Sequence, residues 1–167
     1  MNSIDKINKL SKSDFISIFG NVFEKTEWIA QKSHDSKPYK NFEELFSKMV
    51  EIFENSNKES HIKILNAHPD LANKTKIASL TSDSKSEQNS AGLDQCTEDE
   101  FNEFKKLNDL YKKKFNFPFI HAVKGKNKEE ILNSFRQRIT NNINLEFEEA
   151  KKQVKKIASL RLSEIIK

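Results

Sequence analysis

A chain of 167 residues is long enough for one domain with a core, and thirteen Phe can fill much of it. Three Gly and three Pro disfavour a turn-rich β fold, and one cysteine, Cys96, fits a reducing compartment. Its 29 basic and 25 acidic residues are interspersed, leaving a net charge of +4. That pattern argues against a nucleic-acid partner and suits a small anionic substrate.

The start, Met1-Asn2-Ser3-Ile4-Asp5-Lys6, is too polar for a signal peptide, and Glu164-Ile165-Ile166-Lys167 is not a peroxisomal address. No run approaches the ~18 apolar residues of a membrane span, so a soluble cytoplasmic protein is expected. Two short helices are predicted near Ser13–Phe19 and Val22–Gln31. Asn41 with Glu44 reads as a capping box, followed by Leu45, Phe46, Met49, Val50 and Phe53 at helical spacing. His61, Ile62, Ile64 and Leu65 form a short helix that stops near His68, because a residue before proline is pushed out of the α region.

The Ser-rich stretch from Thr81 to Gly92 is expected to be a loop followed by a short helix, with Ser84 as N-cap and Glu87 at the third helical position. Thr97 with Glu100, and Asn127 with Glu130, are capping boxes for two further helices. The last helix carries Phe147, Ala150, Val154, Ile157, Ala158, Leu162 and Ile165. The apolar, proline-interrupted run Phe115-Asn116-Phe117-Pro118-Phe119-Ile120 is expected to turn inward and line something. These elements predict an all-α, single-domain bundle of about seven or eight helices over residues 1–167.

Four positions invite chemistry. His68, at a helix end, is either a capping or surface histidine or an imidazole that moves protons near neutral pH. Glu87 is either half of a capping box or an acid beside an anion-binding helix start, with Gln88 adding an amide. Arg161 points along the apolar stripe of the last helix. It needs a protein carboxylate, a bound anion or a route to the bundle edge. His121 follows the Pro118 segment and is a candidate for the same pocket. His61 and His68 are about 10 Å apart along a helix, too far to share one metal. No zinc-type spacing occurs, and Cys96 has no base near it in sequence. His34 reads as loop surface.

Several motifs stand together in register. They are Ala67-His68-Pro69-Asp70-Leu71-Ala72, Ser84-x-Ser86-Glu87-Gln88 with Ala91-Gly92-Leu93, Leu107-Asn108-x-x-Tyr111 leading into Phe117-Pro118-Phe119-Ile120, and Ile157-Ala158-x-x-Arg161-Leu162. Phe19-Gly20-Asn21-Val22-Phe23-Glu24 with Trp28-Ile29-Ala30 is a further likeness. Over about residues 13–166 the chain resembles the OHCU decarboxylases, which act on 2-oxo-4-hydroxy-4-carboxy-5-ureidoimidazoline.

The resemblance implies an all-α homodimer and a decarboxylation to (S)-allantoin, the last step from urate, with no cofactor and no metal. Urate oxidase and hydroxyisourate hydrolase would be its functional neighbours. It implies His68 as catalytic acid–base residue, Glu87 as its acidic partner and Arg161 as the family's arginine. Pro69, Ser84, Lys85, Ser86, Glu87, Gln88 and the stretch Phe119, Ile120, His121, Ala122, Val123 match substrate-binding positions, with no catalytic role for the His121 side chain. The competing class is a helical module that binds nucleic acid or protein. It would leave Arg161 and the Phe-Pro-Phe segment unexplained.

Overall fold

Polar side chains start most of the helices in this chain. The structure, a computed structural model, describes residues 3–167, so Met1 and Asn2 of the polar start lie outside the described residues. The described elements are α1 (Ile4–Asn8), α2 (Lys12–Phe19), α3 (Glu27–Asp35), α4 (Phe42–Glu54), α5 (Lys58–Ala67), a 3-10 helix (Lys74–Ser79), α6 (Ser82–Ser90), α7 (Glu98–Phe115), α8 (Lys128–Arg138) and α9 (Ile143–Ile165). No strand occurs among the described residues, and the all-α expectation holds. The helix count is slightly above the expected seven or eight, partly because α1 spans only five residues, too few to show a period.

Capping boxes at Thr97 and Asn127 close in both directions, each N-cap side chain accepting from the third amide and the third residue's carboxylate accepting from the N-cap amide. At Asn41 only half the box forms. Asn41 Oδ1 accepts from the Glu44 amide at 2.8 Å, but the Glu44 carboxylate reaches one residue further, to the Lys40 amide at 2.6 Å.

The helix expected over Val22–Gln31 starts later, at Glu27. Val22, Phe23, Glu24 and Thr26 are all buried, a set wider than the single face an amphipathic helix turns inward. The chain instead makes tight turns with Lys25 at φ 48°. His34, expected on a loop, lies in the last turn of α3. It is half-buried, with its ring edge-on to Phe15 at 5.5 Å.

The chain divides into two compact units, one ending at Ala67 and including Val154–Lys167, the other running from His68 to Gln153. The first unit holds α1 to α5 and the end of α9. Phe23 stacks on Phe53 at 5.4 Å, and His61 packs on Phe53 while its Nε2 meets the Phe53 carbonyl at 2.7 Å. His61 is thereby a core residue.

The second unit is built around Tyr111. Its ring meets Phe115, Phe117, Phe119 and Phe135 with centroids 4.5 to 5.9 Å away. The Tyr111 hydroxyl donates to Glu146 Oε1 at 2.6 Å, and Arg138 Nε donates to the same oxygen at 2.7 Å. Glu146 is fully buried, and burial together with the Glu146 carboxylate holds the Tyr111 hydroxyl far above its usual range. Removing one member of a buried ion pair leaves an uncompensated charge. Arg138→Met is therefore expected to lower stability by about 3–5 kcal/mol, read as a shift of the urea unfolding midpoint.

Candidate functional site

α5 ends at Ala67, and the chain leaves the helix at His68 with Pro69 next. The helix end expected near His68 is present, but His68 is only 8% exposed, so the surface reading fails. Beyond it, residues 68–73 form an irregular strap whose backbone groups have no helical partners. Side chains of the second unit supply them. Gln88 Nε2 donates to the Asp70 carbonyl at 3.2 Å, and Gln88 Oε1 accepts from the Ala72 amide at 3.1 Å. Asn108 Nδ2 donates to the Leu71 carbonyl at 2.9 Å. Lys112 pairs with the Asp70 carboxylate at 2.7 Å. Ala72 sits at φ 54°, a left-handed turn that a non-glycine residue adopts at a cost of roughly 1–2 kcal/mol.

The strap is thus clamped onto α6 and α7, and both ends of the Gln88 amide are occupied in doing so. Sequence reasoning placed Gln88 among the substrate-binding positions. Here both ends of its amide tie the strap to α6.

α6 itself begins earlier than expected. Thr81, not Ser84, is the N-cap, its side chain accepting from the Ser84 amide at 3.2 Å. Ser84 is therefore the third helical residue, and Glu87 stands in the second turn, beyond reach of the free amides at the helix start. The expected box at Ser84 loses because Thr81 offers the same hydroxyl three residues sooner. The buried face of α6 carries Ser84 and Gln88, with Glu87 half-buried beside them. Lys85 and Ser86 are exposed.

The Phe115–Ile120 run turns inward as expected. Phe115, Phe117, Phe119 and Ile120 are each 1–2% exposed, and Pro118 is buried with them. Phe119 stacks on Phe135 at 3.9 Å and on His121 at 5.7 Å, and the Arg138 guanidinium covers the Phe119 ring at 4.4 Å. Arg138 Nη1 also donates to the Ile120 carbonyl at 2.7 Å, and the Ala122 amide donates to Gln153 Oε1 at 2.9 Å. The stretch from Phe119 to Val123 is consequently buried, with its backbone held by the side chains of Arg138 and Gln153. His121 packs within it.

Arg161 lies in the first unit, where Nη2 pairs with Glu24 Oε2 at 2.7 Å and Nη1 donates to the Asn21 carbonyl at 2.9 Å. Both partners are buried, at 5% and 0%. Of the alternatives open for this arginine, a protein carboxylate is realised. Among the described residues no cluster of His, Cys, Asp and Glu is arranged to hold a metal ion.

Arg138 was missed, and Asn108 stood only as part of the Leu107–Tyr111 motif, with no role given to it. The signal was available, since each is polar on an apolar helical stripe, as Arg161 is. Asn108 falls between Phe104 and Tyr111, and Arg138 follows Ile131 and Phe135.

Gln88→Leu strands a buried donor and a buried acceptor on the strap. It is expected to cost about 1–3 kcal/mol in urea unfolding, whereas Lys85→Ala on the exposed face of the same helix stays within about 0.5 kcal/mol. Burial raises the Cys96 thiol above its usual range, with Glu100 adding to the shift. Cys96 is expected to alkylate with iodoacetamide more slowly than a free thiol at pH 8, and a rate equal to that of glutathione contradicts this.

Comparison with known proteins places this arrangement. The OHCU decarboxylase family model matches residues 8–163. The chain is 41% identical over 167 residues to the uric acid degradation bifunctional protein of Bacillus sp. (strain TB-90), covering all of this chain but 33% of that protein. It spans about a third of that relative's length. It is 34% identical to the 2-oxo-4-hydroxy-4-carboxy-5-ureidoimidazoline decarboxylase of Haloferax volcanii, covering 97% of this chain and 95% of that protein. Among solved structures, a crystal structure of OHCU decarboxylase in the presence of (S)-allantoin superposes with a TM-score of 0.72 at 26% identity, over 88% of this chain and 96% of that one. A crystal structure of (S)-allantoin synthase gives a TM-score of 0.76 at 25% identity, over 98% of this chain and 54% of that one. Matched along nearly its whole length in sequence and in fold, the chain belongs to the OHCU decarboxylase family.

Proposed function

We propose that this chain decarboxylates 2-oxo-4-hydroxy-4-carboxy-5-ureidoimidazoline to (S)-allantoin, as the last step of urate degradation to allantoin, with His68 as the acid–base residue. The observation that carries this reading is the buried His68 at the head of a strap bound to α6, the helix that bears the family's Ser84–Gln88 motif. The enzyme is a carboxy-lyase, and residues 1–167 work as a single catalytic domain.

The substrate carries its carboxylate on a ring carbon that also bears a hydroxyl, next to a ring carbon doubly bonded to nitrogen. Breaking the bond to CO₂ sends its electron pair into that ring, so the negative charge needs neither metal nor organic cofactor to receive it. His68 takes the hydroxyl proton as the carbonyl forms and delivers a proton to the neighbouring ring carbon. Delivery from one face sets the configuration of the product. The net change is one substrate anion and one proton converted into allantoin and CO₂. Glu87 orients the imidazole and steadies its charged form, and positioned proton transfer of this kind typically contributes about 10²–10⁴-fold.

Pro69, Ser84 and the backbone of Phe119, Ile120, His121, Ala122 and Val123 bind the substrate. The burial of Ser84 and of Phe119 to Val123, with Pro69 half-buried beside His68, supports this role, since polar groups in a dry site act strongly on developing charge. Lys85 and Ser86 contribute through their backbone, and Gln88 by holding the strap. Arg161 is assigned to the reaction from its motif, with Glu24 holding its guanidinium in a fixed orientation. The working form is a cytoplasmic homodimer, supplied with substrate by urate oxidase and hydroxyisourate hydrolase.

The test generates the unstable substrate in situ from urate with those two enzymes and follows optical activity. Wild type is expected to speed formation of the optically active product over the spontaneous racemic background. His68→Asn is expected to lose about 10²–10⁴-fold in kcat. Full activity in His68→Asn removes its catalytic role, and a wild-type rate equal to background removes the assignment.

A further inference from the structure

Two consecutive peptides of the Phe119–Val123 stretch are pinned from two different helices. The Ile120 carbonyl accepts from Arg138 Nη1 on α8 at 2.7 Å, and Arg138 is itself fixed by Glu146. The Ala122 amide donates to Gln153 Oε1 on α9 at 2.9 Å. Both peptides are trans, and a trans peptide turns its N–H and its C=O to opposite sides. Holding the Ile120 carbonyl therefore sets the direction of the His121 N–H. Holding the Ala122 amide sets the direction of the His121 carbonyl. The main chain at the centre of the stretch lies outside any helix and is aimed by these two side chains.

Gln153 is oriented for this task. Its Nε2 donates to Glu149 Oε1 at 3.0 Å, one turn earlier on α9. An ionised carboxylate can only accept and a main-chain N–H can only donate, so one orientation of the amide satisfies both. Ala122 is 2% exposed, so water does not readily take the place of the lost acceptor. The sequence motifs include neither Gln153 nor Glu149, and the reaction as described above uses neither. Arg138 belongs to the buried set around Glu146, and its loss disturbs the core. Gln153 is half-buried, and its bond to Ala122 can be removed with less effect on packing.

We propose that Gln153 is a positioning residue of the substrate site, holding the Ala122 amide so that the main chain at His121 and Ala122 is set before the substrate arrives. The inference rests on the reading of Phe119–Val123 as a substrate-binding stretch. Gln153 acts through Ala122 and moves no proton. Without its acceptor the peptide is released to turn. Substrate and transition state then lose the same contacts, so KM rises while kcat holds.

The test uses the full chain and (S)-allantoin as a stable probe, its dissociation constant measured by calorimetry beside the in situ assay described above. Gln153→Met keeps the length of the side chain and removes the acceptor. It is expected to weaken (S)-allantoin about tenfold, the loss usual for one hydrogen bond. KM is expected to rise by a similar factor, with kcat within about threefold of wild type. The double variant Glu149→Gln with Gln153→Glu reverses the pair, so that a carboxylate at position 153 accepts from Ala122 and from the amide at position 149. It is expected to bind the probe within about threefold of wild type, which a role in packing alone does not predict. Glu149→Ala leaves Gln153 in place but unoriented, and is expected to weaken the probe about threefold should Gln153→Met disturb folding. The proposal is overturned if Gln153→Met and Glu149→Ala bind the probe like wild type, if kcat falls while KM holds, or if the reversed pair is as weak as Gln153→Met. A wild type that neither binds (S)-allantoin nor speeds its formation removes the functional reading, and this inference with it.

Discussion

Proline at position 69 is the constraint on which the rest of this molecule turns. It cannot donate to a helix, and it pushes His68 out of the helical region, so α5 must stop and the following residues must find other partners. Buried backbone groups left unpaired would consume a large part of the stability margin of a small domain. Gln88 and Asn108 answer that demand for Asp70, Leu71 and Ala72. The same three hydrogen bonds that satisfy the backbone also fix the segment that begins with His68.

Buried charge is used in a parallel way. The second unit places Arg138, Glu146 and Tyr111 in a closed set, and Arg138 extends from it to cover Phe119 and hold the Ile120 carbonyl. The first unit places Arg161 against Glu24 and the Asn21 carbonyl. A buried arginine is stabilised only if most of its fixed fork is satisfied, so each of these guanidiniums joins a carboxylate to a main-chain oxygen. That geometry ties helices α8 and α9 to irregular segments that have no regular hydrogen bonding of their own. Segments of this kind carry the Phe119–Val123 stretch and the turn before α3.

Much of the fold was legible in the residues. Capping boxes at Thr97 and Asn127, and the apolar spacing of α4, α7 and α9, mark local structure because their causes lie within four residues of each other. The errors have causes as well. At Val22–Thr26 burial overrode the helical reading, and at Ser84 a competing cap three residues earlier took the helix start. His34 looked like loop surface until Phe15 gave its ring a face to meet.

The sequence by itself determined the helical class, the stop at Pro69, the inward turn of the Pro118 segment and the motif register that identifies the family. These follow from backbone sterics, periodicity and residue order, which act locally or need no coordinates. Only the tertiary structure decided that His68 is buried, that Gln88 spends its amide on the strap, and which carboxylate neutralises Arg161. Those outcomes depend on groups far apart in the chain, such as Glu24 with Arg161 or Leu71 with Asn108. Pairing across such separations is set by how helices pack, and no window along the sequence contains both partners.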